Sequence, residues 1–318
     1  MPGTIESMAE EIRYQIDDLP AYAQYLRSLG EPPQSEKRGE NCIFVGAGDS
    51  FAAAKAAEHL SGFHARALDP YDLRLRPEFA KGKHLFVISV SGRTTVNIEA
   101  AKAAEGIAKR ITGITSNARS VLAENCDDLI ELNFRKTGEL TPGTGSFTAT
   151  LLACYSRVRE ITVIQDLRRS FEDSVRWSES VELPSEGTTF IVGTGLGYCM
   201  AIYGAAKIYE VLGWKSQYQS TEQFNHMELF SLSKRDAVIL IPGPGEDERA
   251  TRLENLLDRN GWSVAEIDFD DRDEIIRSMH IAMRLQVLAW KTALRFGLQD
   301  CSFKRKNAHL SISDAMIY

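Results

Sequence analysis

The chain has no apolar run near the roughly 18 residues that cross a membrane, and its opening residues carry no signal-peptide pattern. Neither a membrane partner nor a secreted protein is expected. Positive charge is in deficit: 37 lysines and arginines face 44 acidic residues, for a net charge of −7. That balance argues against a nucleic-acid-binding surface. There is no CxxC, and the five cysteines (Cys42, Cys126, Cys154, Cys199, Cys301) stand singly in odd number. Reduced, mostly buried thiols in a cytoplasmic protein fit this pattern better than disulfides or a zinc site, and no metal is expected. What remains is 318 residues that are 43% hydrophobic and 25% charged. Such a chain can bury one large α/β core or two of about 150 residues each.

The most informative stretch is Leu85 to Ala104, LFVISVSGRTTVNIEAAKAA. Leu85 to Ser89 suit a buried strand. A hydroxyl-dense turn follows, with Ser89, Ser91, Thr94 and Thr95 around Gly92, and then an alanine-rich helix with Thr94 or Thr95 as N-cap. The first N–H groups of a helix lack intrahelical partners and carry partial positive charge, so this order builds an anion site. Gly92 lets the backbone come close to a ligand. An ordinary capped turn needs one hydroxyl, and this one offers four.

In chain order, Ile5, Met8, Ile12, Ile16, Leu19 and Tyr22 form a helical stripe over 4–29 that covers either its own domain or a partner subunit. A polar, proline-containing loop spans 30–40. Cys42 to Leu60 reads as strand, glycine turn and helix, and further strands are expected near 63–68, 84–89, 109–115 and 127–132. The alternation predicts a parallel sheet covered on both faces. Two turn signals occupy 134–147, and a long helical tract is expected from about Thr148 to Trp177. The opening theme then returns. Val45-Gly46-Ala47-Gly48 matches Val192-Gly193-Thr194-Gly195, and LFVISVSG at 85–92 matches VILIPGPG at 238–245. This internal repeat implies two similar α/β lobes sharing an interface. In the second copy Pro242, Gly243, Pro244 and Gly245 replace the hydroxyl turn, so only the first lobe can hold a phosphate with hydroxyls. No acidic residue stands at Lys215 to Gln219, where a dinucleotide site needs one, so no nicotinamide cofactor is expected.

Lys207 and Glu210 lie three apart on the helix after the second glycine turn and share a face. They are either a solvated surface pair or an acid–base pair with an ammonium beside it. His226 sits beside Phe224, Asn225 and Met227 in a segment expected to be irregular and polar, as a structural histidine or as a proton carrier.

Ser89-x-Ser91-Gly92-x-Thr94, Gly48-Asp49-Ser50, Ala206-Lys207-x-x-Glu210 and Asn225-His226 together resemble tandem SIS-domain (sugar isomerase) proteins, among them the isomerase half of glucosamine-6-phosphate synthase. The resemblance spans about residues 40–310. It implies two tandem SIS lobes, each a parallel flavodoxin-like sheet flanked by helices. The expected organisation is a leading helix and loop at 1–40, a phosphosugar-binding lobe at 41–165, and a second lobe with a tail at 166–318. It further implies that Ser50, Ser89, Ser91 and Thr94 hold a sugar phosphate on turns shaped by Gly48 and Gly92, and that Thr144 contacts the sugar. Glu210 would shuttle a proton between C1 and C2, and His226 would open the ring. In resembling enzymes the matching histidine serves the neighbouring subunit, which implies a homodimer with shared sites.

These roles are chemically coherent. Aldose–ketose isomerisation passes through a cis-enediolate and needs one base within reach of both carbons, and Lys207 would stabilise the developing oxyanion. The expectation is therefore a phosphosugar isomerase or deaminase acting at C1/C2 of a 6-phosphosugar. The alternative is a non-catalytic phosphosugar sensor. Departures narrow the reading. No N-terminal cysteine or glutaminase segment is present, so ammonia release from glutamine is not expected. Tyr203 stands where the synthase has a glutamate. Arg93 in the hydroxyl turn either binds phosphate or points to solvent. The tail Lys304-Arg305-Lys306-Asn307-Ala308-His309 has no lysine in register for a Schiff base.

Overall fold

The structure, a computed structural model, describes residues 3–30, 39–244, 247–267, 269 and 273–318. Most of the expected loop at 30–40, and Gly245 of the second repeat, lie outside the described residues. The chain divides into two compact units. The first takes Asp17–Arg135, Gly145–Val163 and Ala308–Tyr318, and the second takes Met1–Ile16, Lys136–Thr144 and Ile164–Asn307. Helix α1 (Thr4–Ser28) contributes residues to both. Its stripe is realised, with Ile5, Met8, Ile12, Leu19 and Tyr22 all buried.

The first unit is built on β1 (Cys42–Val45), β2 (Arg66–Leu68), β3 (His84–Ile88), β4 (Arg110–Thr115) and β5 (Asp128–Glu131). All pair in parallel in the order β2-β1-β3-β4-β5. Every residue of β1 and β3 is buried, as a sheet covered on both faces requires. Helices α2 (Asp49–Leu60), α3 (Pro70–Leu75), α4 (Thr95–Ala104), α5 (Val121–Glu124) and α6 (Gly145–Tyr155) complete this unit. Alanines allow the close approach: Ala100, Ala101 and Ala104 of α4 share a core cluster with Val45, Leu85 and Val87.

The second unit repeats the plan with β6 (Thr188–Gly193), β7 (Lys215–Ser220), β8 (Ala237–Ile241) and β9 (Ser263–Glu266), all parallel. Their order, β7-β6-β8-β9, is that of the first four strands of the other sheet. The helices are α7 (Leu167–Ser180), α8 (Leu196–Lys207), α9 (Thr221–His226), α10 (Glu248–Arg259), α11 (Glu274–Arg295) and α12 (Ser302–Arg305). The last helix, α13 (Asn307–Ile317), falls almost wholly in the first unit. Helix α11 is buried over nearly all its length and packs on α7 and α8.

One expectation is corrected. The helical tract from Thr148 to Trp177 is two helices, α6 and α7, separated by 156–166. The consecutive β-branched residues Ile161, Thr162, Val163 and Ile164 disfavour helix, and Asp166 takes a left-handed φ of +60° before α7 begins. The chain also passes from one unit to the other in this stretch.

After α8 the chain makes one wide π-type turn, Ile208–Leu212, closed by Gly213 at φ +73°. The tail fastens there: Arg305 donates to Leu212 O at 3.0 Å and Lys306 Nζ to Gly213 O at 3.3 Å. A Cβ on Gly213 would stand 2.2 Å from Ser302 Oγ. Gly213→Ala therefore combines left-handed strain with a clash and should destabilise the protein by about 1–3 kcal/mol. Urea unfolding checks this, and an unchanged midpoint would contradict it.

Candidate active site

In the first sheet the chain leaves β1 toward β2 at one edge, while β3 is followed by β4 and β5 at the other. The loops after β1 and β3 diverge at this reversal and leave a crevice at the carboxyl ends of the strands, the usual ligand position in an open parallel sheet. Gly48 and Ser50 follow β1, and Ser89 to Thr94 follow β3. Ser50 and Ser89 are buried. Ser89 Oγ lies 3.0 Å from Thr94 Oγ1, and Arg93 N donates to Ser91 Oγ at 3.3 Å. Gly92 turns the chain at φ +66°, and a Cβ there would meet Ser120 Oγ at 2.0 Å, so only glycine fits. Asn97 Nδ2 donates to Ile88 O at 2.5 Å and ties α4 to the end of β3.

Thr94 is the N-cap of α4, yet its side chain makes no cap bond. Gly48, the N-cap of α2, has no side chain with which to make one. The start of α4 therefore faces the crevice without a side-chain cap, and its partial positive charge is available to an anion, whereas α2 carries Asp49 in its first turn. The Arg93 guanidinium lies over the Tyr318 ring at 5.1 Å, and Thr95 Oγ1 donates to Tyr318 O at 3.1 Å. The end of α13 thus packs beside the hydroxyl turn.

The matching turn of the second unit is closed by its own side chains. Asp247 caps α10, accepting from Gly243 N at 2.9 Å and Ala250 N at 3.0 Å. Burial acts to raise its pKa, but these bonds and one from Thr194 outweigh it and hold the carboxyl below the usual range. The buried Arg277 guanidinium donates to Gly243 O at 2.8 Å and Pro242 O at 3.0 Å. Thr194 Oγ1 lies 2.9 Å from Thr221 Oγ1. The helix start that stays uncapped in the first unit is filled here by a carboxylate.

Lys207, Glu210, Thr144 and His226 belong to the second unit, while Gly48, Ser50, Ser89, Ser91, Gly92 and Thr94 belong to the first. Lys207 ends α8 fully buried and pairs with Glu210 in the π-type turn. The solvated-pair reading fails, because an ammonium withdrawn from water requires this counterion. Glu210 keeps 38% of its side chain exposed. Tyr203, one turn earlier, sets its ring 4.9 Å from the Lys207 ammonium, and its hydroxyl donates to Gly143 O at 2.7 Å. It therefore joins the helix of the ion pair to the loop that carries Thr144. Burial pushes the nearby Cys301 thiol up to about 11, with Glu210 adding to the rise.

Thr144 is buried, with its hydroxyl 3.4 Å from Glu11 Oε2. Glu11, itself buried, also accepts from Thr137 N and Oγ1 at 2.9 Å each and from Thr141 Oγ1 at 2.6 Å. This carboxylate organises the 137–144 loop. Sequence reading missed it, although an acid set beside the apolar stripe of α1 was its signal.

His226 does not stand in an irregular segment, as the sequence suggested. It is the last residue of α9, its side chain is 70% exposed, and Nε2 lies 3.3 Å from Glu222 Oε1. Glu222 is held in turn by Arg249 at 2.5 Å. Among the described residues His226 makes no hydrogen bond to Glu210, and its exposure excludes a buried structural role.

No family model matches the chain, and no curated protein matches it in sequence. Solved structures do. Glucosamine-6-phosphate deaminase from Thermotoga maritima superposes with a TM-score of 0.76 at 20% identity, over 92% of this chain and 96% of its own. Tagatose-6-phosphate ketose/aldose isomerase from Escherichia coli gives 0.72 at 18% identity, over 92% and 93%. The C-terminal domain of glucosamine-fructose-6-phosphate aminotransferase from Francisella tularensis gives 0.69 at 18% identity, over 92% and 96%. At such identities the likeness establishes the fold: two parallel sheets flanked by helices, as in these phosphosugar proteins.

Proposed function

We propose that the chain is a phosphosugar isomerase or deaminase that opens the ring of a hexose 6-phosphate or amino-sugar 6-phosphate and moves a proton between C1 and C2. The observation that carries this reading is the contrast between the two matching turns. One, at α10, is answered by its own Asp247, and the other, at α4, is uncapped beside Ser89, Ser91 and Thr94, with Ser50 on the neighbouring turn. The fold shared with phosphosugar enzymes supports it.

In this reading the phosphate accepts hydrogen bonds from the hydroxyl turn and anchors the substrate, so that remote binding energy positions the reacting carbons. The Glu210 carboxylate takes the proton from C2 of the open-chain aldose as the C1 carbonyl becomes an enediolate, and returns it to C1. The C2 hydroxyl proton moves to the C1 oxygen, which leaves a ketone. Lys207 stabilises the enediolate oxygen. His226 transfers a proton to the ring oxygen as the ring opens. With an amine at C2 the same proton transfer gives an imine at C2, which water hydrolyses to the ketose and ammonia. The exposure of His226, which among the described residues makes no hydrogen bond to Glu210, supports a homodimer in which it serves the site of the second copy.

Ser89→Ala/Thr94→Ala should weaken binding of glucose 6-phosphate by about 2 kcal/mol or more, because each charge-assisted bond contributes about 1.5–3 kcal/mol. Unchanged affinity by calorimetry would remove the turn from phosphate binding. Glu210→Gln should leave that affinity within a few-fold while proton–deuterium exchange at C1 and C2 falls by about 10²–10⁴. Since Lys207 then loses its counterion, circular dichroism must first establish that the variant is folded. Retention of more than about a tenth of the exchange rate would exclude Glu210 as base. Wild-type protein that binds 6-phosphosugars but exchanges no proton on any of them would identify a sensor.

Shared sites are tested by mixing. Glu210→Gln and His226→Ala homodimers should both be nearly inactive, and a mixed dimer should regain one intact site. A mixed dimer verified by mass spectrometry yet without recovered activity would place His226 in the site of its own chain.

A further inference from the structure

The apolar stripe of α1 accounts for a cover, but not for the acid set into it. Thr4 to Ile16 belong to the second unit, together with the 136–144 loop, Tyr203, Lys207 and Glu210. Along this half of the helix Thr4, Glu11 and Gln15 stand seven and four residues apart, a spacing that puts them on one face. Both outer members are fixed. Asp300 accepts from Thr4 N at 3.0 Å and from Thr4 Oγ1 at 3.1 Å, and Thr4 Oγ1 accepts from Cys301 N at 2.8 Å. Gln15 Nε2 donates to Gln286 Oε1 of α11 at 2.7 Å. Glu11 lies between these ties, on a helix held on either side of it.

The Glu11 carboxyl is buried. Its Oε1 accepts from Thr137 N and Oγ1, and its Oε2 accepts from Thr141 Oγ1 and Thr144 Oγ1. Packing alone could seat a helix here, because buried charges seldom stabilise a protein more than well-packed apolar groups do. What a carboxylate adds is direction. It only accepts, so each of these groups turns a hydrogen toward it. The loop is gripped again at Gly143, whose O accepts from the Tyr203 hydroxyl at 2.7 Å. The Tyr203 ring faces the ammonium of Lys207, the partner of Glu210. A continuous run of contacts thus leads from Glu11 through the loop and Tyr203 to the ion pair.

We propose that Glu11 is a positioning residue: by fixing the 137–144 loop it sets Thr144 and, through Gly143 and Tyr203, the geometry of the Lys207–Glu210 pair. Its effect on proton transfer rests on the acid–base reading of Glu210 given above. The link from Glu11 to the pair does not.

The full chain tests it by proton–deuterium exchange on glucose 6-phosphate, calorimetry with inorganic phosphate, and urea unfolding. Glu11→Met keeps the bulk and removes the acceptor. Exchange per folded molecule should fall by about tenfold or more, as small misplacements of reacting groups do, while phosphate affinity stays as in the wild type. Glu11→Gln should regain most of the rate, because its amide oxygen can accept from Thr137 and its Nε2 can donate to threonine hydroxyls. A lowered urea midpoint with an unchanged rate in Glu11→Met would make Glu11 a stabilising residue only and overturn the proposal. Equal loss in Glu11→Gln and Glu11→Met would assign the effect to charge rather than to these bonds, and would also overturn it. Thr141→Val alters no charge and leaves the buried acid in place, so it keeps the test open if Glu11→Met does not fold. In Thr141→Val the backbone amide NMR shifts of Lys207 and Glu210 should move, and unmoved shifts would break the link. The same shifts separate the two proposals. A wild type that exchanges no proton on any 6-phosphosugar defeats the acid–base reading of Glu210, and the shifts then decide for or against Glu11 on their own.

Discussion

A helix that starts at the carboxyl end of a buried parallel strand leaves its first backbone N–H groups without partners, and something must answer them. The rest of this structure depends on how that requirement is met. In the second unit Asp247 meets it, and the Pro242-Gly243 turn is clamped from its other side by Arg277. In the first unit no side chain caps α4, and Ser89, Ser91 and Thr94 beside it carry hydroxyls that donate as readily as they accept. The same strand order, β2-β1-β3-β4 in one sheet and β7-β6-β8-β9 in the other, thus yields one closed turn and one open to an anion.

The Lys207–Glu210 pair follows a second rule, that a buried charge must be paired and its partner held in place. Lys207 is withdrawn from water, so the carboxylate cannot swing freely, while Glu210 remains more than a third exposed. One member is anchored and the other keeps contact with solvent. Tyr203 reinforces the anchor by putting a π-face on the ammonium and a hydroxyl on Gly143. An aromatic residue at this position faces the ammonium with its ring without itself adding a second carboxylate.

Much of this was legible in the sequence, because the features concerned are local. The strands of the first sheet follow from short apolar runs between glycine turns, and the repeat of Val45–Gly48 at Val192–Gly195 announced a second sheet of the same order. Lys207 and Glu210 were recognisable as neighbours from their spacing alone. What escaped depends on contacts distant in sequence. Glu11 gains its role only from three threonines more than a hundred residues away that close around it. The break at 156–166 was hidden because a polar–apolar mixture there satisfies helical periodicity, whereas the β-branched run and the passage between units decide against it. His226 looked irregular because a six-residue helix is too short to show a period.

Each unit starts a helix at the carboxyl end of a parallel strand, and polar groups left unsatisfied there carry a desolvation cost of about 1–3 kcal/mol each. Asp247 relieves that cost from within and fixes its turn, with its own pKa lowered by the bonds it accepts from Gly243, Ala250 and Thr194. In the same unit α8 ends in a wide π-type turn, a departure from regular helix that often marks functional positions. There the turn sets a buried ammonium beneath a half-open carboxylate. A turn of neutral hydroxyls and a charged pair make opposite demands on their surroundings, and each stands in a unit of its own where those demands are met.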